Sequence, residues 1–384
     1  MVLFTRLLKF MKILSSKFEI SVIAFLFFLF LVPTVIAAQE NQQTPPKEER
    51  LEAVVTKIQE EKEVEAEGTD KKTLYQKLEV LVVSEERKGE TLVIENNMPV
   101  VNAQRYKVGD KVVIAANQTV DGKELLYIND YVRRTPLYFL FAIFAGLTVL
   151  IGRKRGLASL IGMGLSFFVI FTFVLPQILS GKDPIFIAIV ASLFIIPTNF
   201  YLAHGANRKT TAAVIGTIIA LVITGILANV FVDAARLTGF ASEEAAFLQQ
   251  AKPDLINIRG LLLAGIIIGV LGILDDITIS QAAIVAQLKK ASPKIPFWEL
   301  FNRSMDIGRD HIASMVNTLI LVYTGAAMPL LLLFSNNPHP FSELINYEIV
   351  AEEFVRTLVA SIGLILAVPI TTFITTVLFD KKAG

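Results

Sequence analysis

Apolar runs long enough to cross a bilayer recur along this chain, and no other feature restricts its fold so strongly. A hydrocarbon layer about 30 Å thick takes roughly 20 predominantly apolar residues as an α-helix, since backbone groups in lipid must be satisfied within the segment. Eight segments fit: Ile20–Ile36, Pro136–Ile151, Gly156–Leu179, Pro184–Ala203, Thr210–Val232, Gly260–Val285, Ile312–Phe334 and Phe354–Phe379. A composition 53% hydrophobic and 18% charged belongs to the same class. The expected fold is an α-helical polytopic membrane protein.

Lys and Arg in short loops set the direction, because they stay on the cytoplasmic side. With the N-terminus inside, Arg6, Lys9, Lys12, Lys17, Arg153, Lys154, Arg155, Arg208, Lys209, Lys289, Lys290, Lys294, Arg303, Arg309, Lys381 and Lys382 all fall in cytoplasm. The outer loops of the helical region keep only Lys182, Arg236, Lys252 and Arg259. The first segment has two readings. It is an uncleaved anchor, or a signal peptide ending in the small-residue pattern Val35-Ile36-Ala37-Ala38, which leaves seven spans with unchanged orientation. Residues 1–38 are thus an anchor or signal, 39–135 an extracytoplasmic domain, and 136–384 the helical membrane domain.

Residues 39–135 change period. After a polar linker containing Pro45-Pro46, short alternating runs at Leu51–Ile58, Thr73–Val83, Thr91–Glu95, Lys111–Ala116 and Leu125–Val132 are separated by glycine and proline turn signals, including Asp121-Gly122. Five short strands predict a small all-β domain, with an OB-like barrel the closest match in strand number. Nucleic acid is not an expected partner. The net charge is only +1, and the region is crowded with Glu48, Glu49, Glu52, Glu60, Glu61, Glu63, Glu65 and Glu67 where a nucleic-acid face needs bases and aromatics.

Charge inside lipid is costly and therefore points to function. Gly260–Leu274 is too short to cross alone, so the sixth helix carries Asp275 and Asp276 into the membrane or to its inner edge. Gly265, Gly269, Gly272, Asp276 and Ser280 share one stripe, and small residues of this kind are expected to admit a close helix neighbour. The seventh segment repeats the theme with Arg309, Asp310 and His311 at its start and Ser314 and Asn317 on the stripe of Asp310, continued by Leu321 and Thr324. Asp276, Asp275, Asp310 and His311 are candidates for ion or proton coupling. Asn317, Ser280, Ser314 and Arg309 are candidates for a polar cavity. An alternative stays open, in which Asp275 and Asp276 only pair with Arg303, Arg309 or Lys289 at a wet helix end. Asn199 beside Pro197, and Thr371, Thr372, Thr375 and Thr376 after Pro369, are further polar positions with simpler structural explanations.

The runs GVLGILDDITISQ from Gly269 to Gln281, GRDHIASMVNTL from Gly308 to Leu319 and YTGAAMPL from Tyr323 to Leu330 resemble the YibE/F family of bacterial multi-span membrane proteins. The resemblance covers about residues 134–382 and implies a bacterial cytoplasmic membrane location, without naming an activity. A permease or proton- or ion-coupled transporter of an unidentified small solute or ion is the leading expectation. The alternative is a non-transporting scaffold or accessory protein that docks partners through its exported β domain. An enzyme is not expected, since no HExxH, GxSxG or GxGD motif is present and Glu352, Glu353 and Arg356 miss the EExxxR spacing. With no cysteine and three histidines, neither a cofactor nor a metal site is anticipated.

Overall fold

The computed structural model describes residues 49–65, 72–96, 105–118, 124–251, 255–335 and 340–380. The expected first span, Ile20–Ile36, and the Asp121-Gly122 turn lie outside the described residues. The chain divides into two compact units, Ile36–Leu147 and a second that runs from Thr148 onward.

The first unit contains five antiparallel strands, β1 (Glu49–Glu65), β2 (Lys72–Val82), β3 (Thr91–Asn96), β4 (Lys111–Gln118) and β5 (Glu124–Tyr131), in the order β3-β2-β1-β4-β5. Alternation in the sequence becomes one buried face: Leu51, Ala53, Val55, Leu78, Val80, Val82, Ile94, Val112 and Ile114 form its core. β1 is long and bulged near Thr56 and Gln59, which bends it so that it pairs with both β2 and β4. The sheet is an open half-barrel. Its edges β3 and β5 approach each other without sharing a ladder, and Arg87 bridges that side, donating to Glu90 at 2.6 Å and Glu124 at 2.5 Å. A buried amide closes one end: Gln76 donates to Glu61 at 2.9 Å and to the Tyr106 carbonyl at 3.0 Å, and accepts from the Tyr106 amide at 2.9 Å.

Helices follow: α1 (Arg134–Val169), a five-residue π turn (Ile170–Val174), α2 (Leu175–Leu179), α3 (Pro184–His204), α4 (Arg208–Ala234), α5 (Glu243–Ala251), α6 (Ile258–Ala291), α7 (Phe297–Ala326), α8 (Met328–Ser335), α9 (Phe341–Leu344) and α10 (Glu348–Asp380). Among the described residues, five stretches are long and apolar enough to cross a membrane, namely Arg134–Leu179, α3, α4, α6 and α10; α7 with α8, bent by 68°, makes a sixth. Of the expected eight, the first lies outside the described residues, and the other seven correspond to these five or six stretches. The second and third expected spans both fall in Arg134–Leu179, whose 46 residues would reach about 70 Å as a straight helix. That stretch is interrupted at Arg153, where φ is 51° and ψ −133°. Gly156 packs directly on the Thr148 carbonyl beyond the break, an approach that no side chain would permit. α7 is one continuous helix, so Trp298–Phe301 belongs to the same element as Asn317. The bend after it falls at Ala327, the turn residue between the two helices, and Pro329 in the first turn of α8 has no N–H to donate back to α7.

Packing in the second unit centres on α4, α6 and α10, with α3 and α7 laid against them. The tight crossings are made at Gly216 against Thr371, Gly363 against Thr224, and Gly308 against Val368 and Gln281. Threonines suit these contacts because their hydroxyls bond backward: Thr372 to Val368, Thr375 to Thr371 and Thr376 to Thr372, at 2.6–2.7 Å. Between helices, Thr217 and Thr278 hydroxyls meet at 2.7 Å, and Gln281 donates to the Ser304 carbonyl at 2.9 Å and to Thr372 at 2.7 Å. Outside the bundle, Glu348 at the start of α10 accepts from the amides of Thr238 and Gly239 and from the Thr238 hydroxyl. Large apolar side chains such as Phe171, Phe186, Val222, Ile226 and Leu332 stay exposed on the helices, the surface a lipid-facing bundle needs.

Candidate functional site

A cavity of about 510 Å³ opens among the second part of α1, α3 and α6. α6 contributes Gly272, Asp275, Asp276 and Ile279, one turn above the other. Both carboxylates line the space, Asp275 half-buried and Asp276 exposed to it. The opposite wall comes from Ser159, Met163, Ser166, Phe167 and Ile170, with Asn199, Phe200, Ala203 and His204 between.

Local sequence explains each wall. Gly162 lets α3 approach α1, since a Cβ there would lie 2.9 Å from the Asn199 side-chain oxygen. Asn199 donates to Ser166 at 2.9 Å, and the Ser166 hydroxyl also reaches the Gly162 carbonyl at 3.0 Å, so the two helices are joined by a small polar bridge on the cavity wall. Ile170 starts the π turn. Pro176 has no N–H to continue the ordinary ladder, and the Leu175 amide bonds five residues back to Ile170. At the other end, Gly205 takes φ 75° and Asn207 donates to the carbonyls of His204 and Gly205 at 2.9 and 3.0 Å while capping α4 at Thr210. This turn fixes His204 at the cavity edge.

The bases that could have neutralised the aspartates are engaged elsewhere. Arg303 pairs with Glu299 at 2.6 Å, Arg309 with Asp306, and Lys289 with Asp380 at 3.8 Å. Among the described residues neither Asp275 nor Asp276 has an ion-pair partner, and neither Lys nor Arg lines the cavity. The described residues include no group of three or more His, Asp or Glu side chains placed to hold a metal ion. The lining offers two proton-binding carboxylates, an imidazole and neutral donors and acceptors, within largely apolar walls.

The remaining sequence candidates lie elsewhere. Arg309, Asp310, His311, Ser314 and Asn317 are on α7 and do not line this cavity, nor does Ser280 of α6. Asp310, Ser314 and Asn317 are exposed on the outer side of α7. Gly265, Gly269 and Gly272 are also open: among the described residues nothing lies within 4 Å of a Cβ built on any of them. Small-residue packing falls instead to Gly216, Gly308 and Gly363. Ser159, Ser166 and His204 had no distinguishing pattern in the sequence; Asn199 did, through its place two residues after Pro197.

A family model described as YibE/F-like protein matches residues 140–381, and a second, described as the YibE/F family N-terminal domain, matches residues 48–131. No curated protein and no solved structure matches the chain.

Proposed function

We propose that this chain, which belongs to the YibE/F family, is a permease or proton- or ion-coupled transporter of a small solute or ion. The observation that carries the reading is the cavity of about 510 Å³ lined by Asp275 and Asp276. A charged side chain costs about 2.5–3.5 kcal/mol on insertion scales, and a carboxylate kept at membrane depth without an ion-pair partner is best accounted for by what it binds. Asp275 and Asp276 take and release a proton or a cation; His204, Asn199 and Ser166 supply further polar contacts along the same wall. The ligand is moved, not chemically altered.

The distribution of bases supports an orientation in the bacterial cytoplasmic membrane with residues 39–135 outside and the C-terminus inside. In that orientation His204, four residues before Arg208, marks the cytoplasmic end of the cavity.

The test is flux in proteoliposomes containing the full chain and a trapped pH dye, with Na⁺, K⁺, Mg²⁺ or Mn²⁺ added singly across a proton gradient. Wild-type protein dissipates the gradient faster than empty vesicles, and Asp275→Asn with Asp276→Asn removes the excess rate at unchanged reconstitution. Undiminished flux in the double variant ends the site assignment. Unchanged cellular function of that variant, with a protein captured through the β domain, indicates the accessory role instead.

A further inference from the structure

α7 carries a second polar feature that the cavity does not use. Ser314, Asn317, Leu321 and Thr324 succeed one another at steps of three, four and three, the heptad spacing of a seam between parallel helices. Ser314, Asn317 and Leu321 are exposed and Thr324 is half-buried. The helix packs on α10 and α6 through a different face, that of Leu300, Ser304, Gly308 and Leu319. Among the described residues the Asn317 amide has no hydrogen-bond partner.

Its depth follows from the packing. Gly308 closes on Gln281 of α6 and Val368 of α10, and Phe301 meets Phe373 at 6.5 Å, so α7 runs antiparallel to both neighbours. Nine residues beyond Gly308, about 13 Å along the axis, Asn317 comes level with roughly Gly272 of α6 and Val359 of α10. Both positions are well inside the apolar stretches. A primary amide facing hydrocarbon at that depth is unsatisfied, and membrane helices resolve this by bonding one another.

The chemistry selects the occupant. Every copy of the chain inserts with the same orientation, so α7 of one copy meets α7 of another in parallel, the geometry that heptad spacing serves. Serine and asparagine each both donate and accept, so each can pair with its own symmetry equivalent across a two-fold axis. The apolar segment outside the described residues, 20–36, is unsuited to the same face: its hydroxyls are Ser21 and Thr34, near its two ends, and nothing between them can meet a mid-depth amide. We propose that α7 is a self-association helix, with the Ser314–Asn317–Leu321–Thr324 seam buried against a second copy of the chain and Asn317 paired with Asn317 of that copy.

The chain contains no cysteine, so single-cysteine variants of the full protein in native membranes report directly. Ser314→Cys and Leu321→Cys are expected to form disulfide-linked dimers on mild oxidation, and Val322→Cys, about 100° round the helix from Leu321, is not. Adding Asn317→Val to Ser314→Cys should weaken the dimer roughly three- to twenty-fold in a bilayer dilution series, with Asn317→Gln retaining more of it. The proposal is overturned by equal cross-linking at Val322, by none at either seam position in a normally expressed protein, or by single-molecule counting that finds monomers. Ready labelling of Asn317→Cys by a membrane-impermeant maleimide without dimer formation also overturns it, because the seam would then line water.

Discussion

Alanine substitution of glycines separates closed helix crossings from open faces, and the structure assigns them opposite signs. At Gly216 an added Cβ lies 3.1 Å from the Thr371 Cβ and 3.3 Å from its Cα, closer still to its hydroxyl, and Thr371 is fully buried. Rotating the threonine moves the hydroxyl but leaves both carbons in place, so α4 and α10 must part. Gly363 meets Thr224 in the same way, with side-chain carbons at 3.0 and 3.2 Å. Overpacking of this kind costs about 1–3 kcal/mol. Among the described residues nothing lies within 4 Å of a Cβ on Gly265 or Gly269, and alanine there gains up to about 1 kcal/mol of helix propensity. At roughly 2 °C of melting temperature per kcal/mol for a unit of this size, Gly216→Ala and Gly363→Ala should lower the apparent midpoint by about 2–6 °C. Gly265→Ala and Gly269→Ala should leave it unchanged or raise it. Trp298, the single tryptophan, packs edge-on against Phe297 and Phe301 in α7 and makes intrinsic fluorescence a reporter in detergent. A drop for Gly269→Ala as large as that for Gly216→Ala would refute the assignment of open and closed faces.

Three further outcomes concern the periphery. Gln76→Leu strands the Tyr106 amide and carbonyl in the β core and should cost about 2–3 kcal/mol, read as a lower urea midpoint by circular dichroism; an unchanged midpoint removes the amide's structural role. Hydrogen bonds from Gln76 first, and from Arg105, lower the pKa of Glu61; its stabilising effect is therefore present above the ordinary glutamate range and is lost as pH falls through the depressed value, so Tyr106 amide protection should decline on acidification and not on alkalinisation. Glu348→Ala frees the Thr238 and Gly239 amides and should cost about 1–2 kcal/mol, with faster proteolysis at residues 235–242 as the readout; unaltered cleavage would show that the clamp does not hold the loop.

The β unit was legible because half-buried antiparallel strands write their burial into every second residue. Ala53, Val55, Val80, Val82, Val112 and Ile114 could be placed on one face before any pairing was known. Helices in lipid lack that signal. α6 is apolar nearly all round, so the stripe of Gly265, Gly269 and Gly272 reports which residues share a face and says nothing about what stands opposite. Gly216, Gly308 and Gly363 look no different in sequence, yet they carry the crossings. Asp275 and Asp276 stood out because charge is rare in such surroundings. Their neighbours Ser166, Asn199 and His204 come from helices some seventy or more residues away in the chain, and only folding reveals that they share a cavity. Likewise the polar stripes of α6 and α7 suggested one shared site, whereas α7 turns Asp310, Ser314 and Asn317 outward.

That separation makes the central claim testable with two single substitutions. In proteoliposomes with an imposed pH gradient, proton flux is to be compared for Asp276→Asn and Asp310→Asn at matched protein content. Because Asp276 lines the cavity and Asp310 lies on the outer face of α7, the account predicts that flux is lost in the first variant and kept in the second. Flux that survives Asp276→Asn but disappears with Asp310→Asn would contradict it.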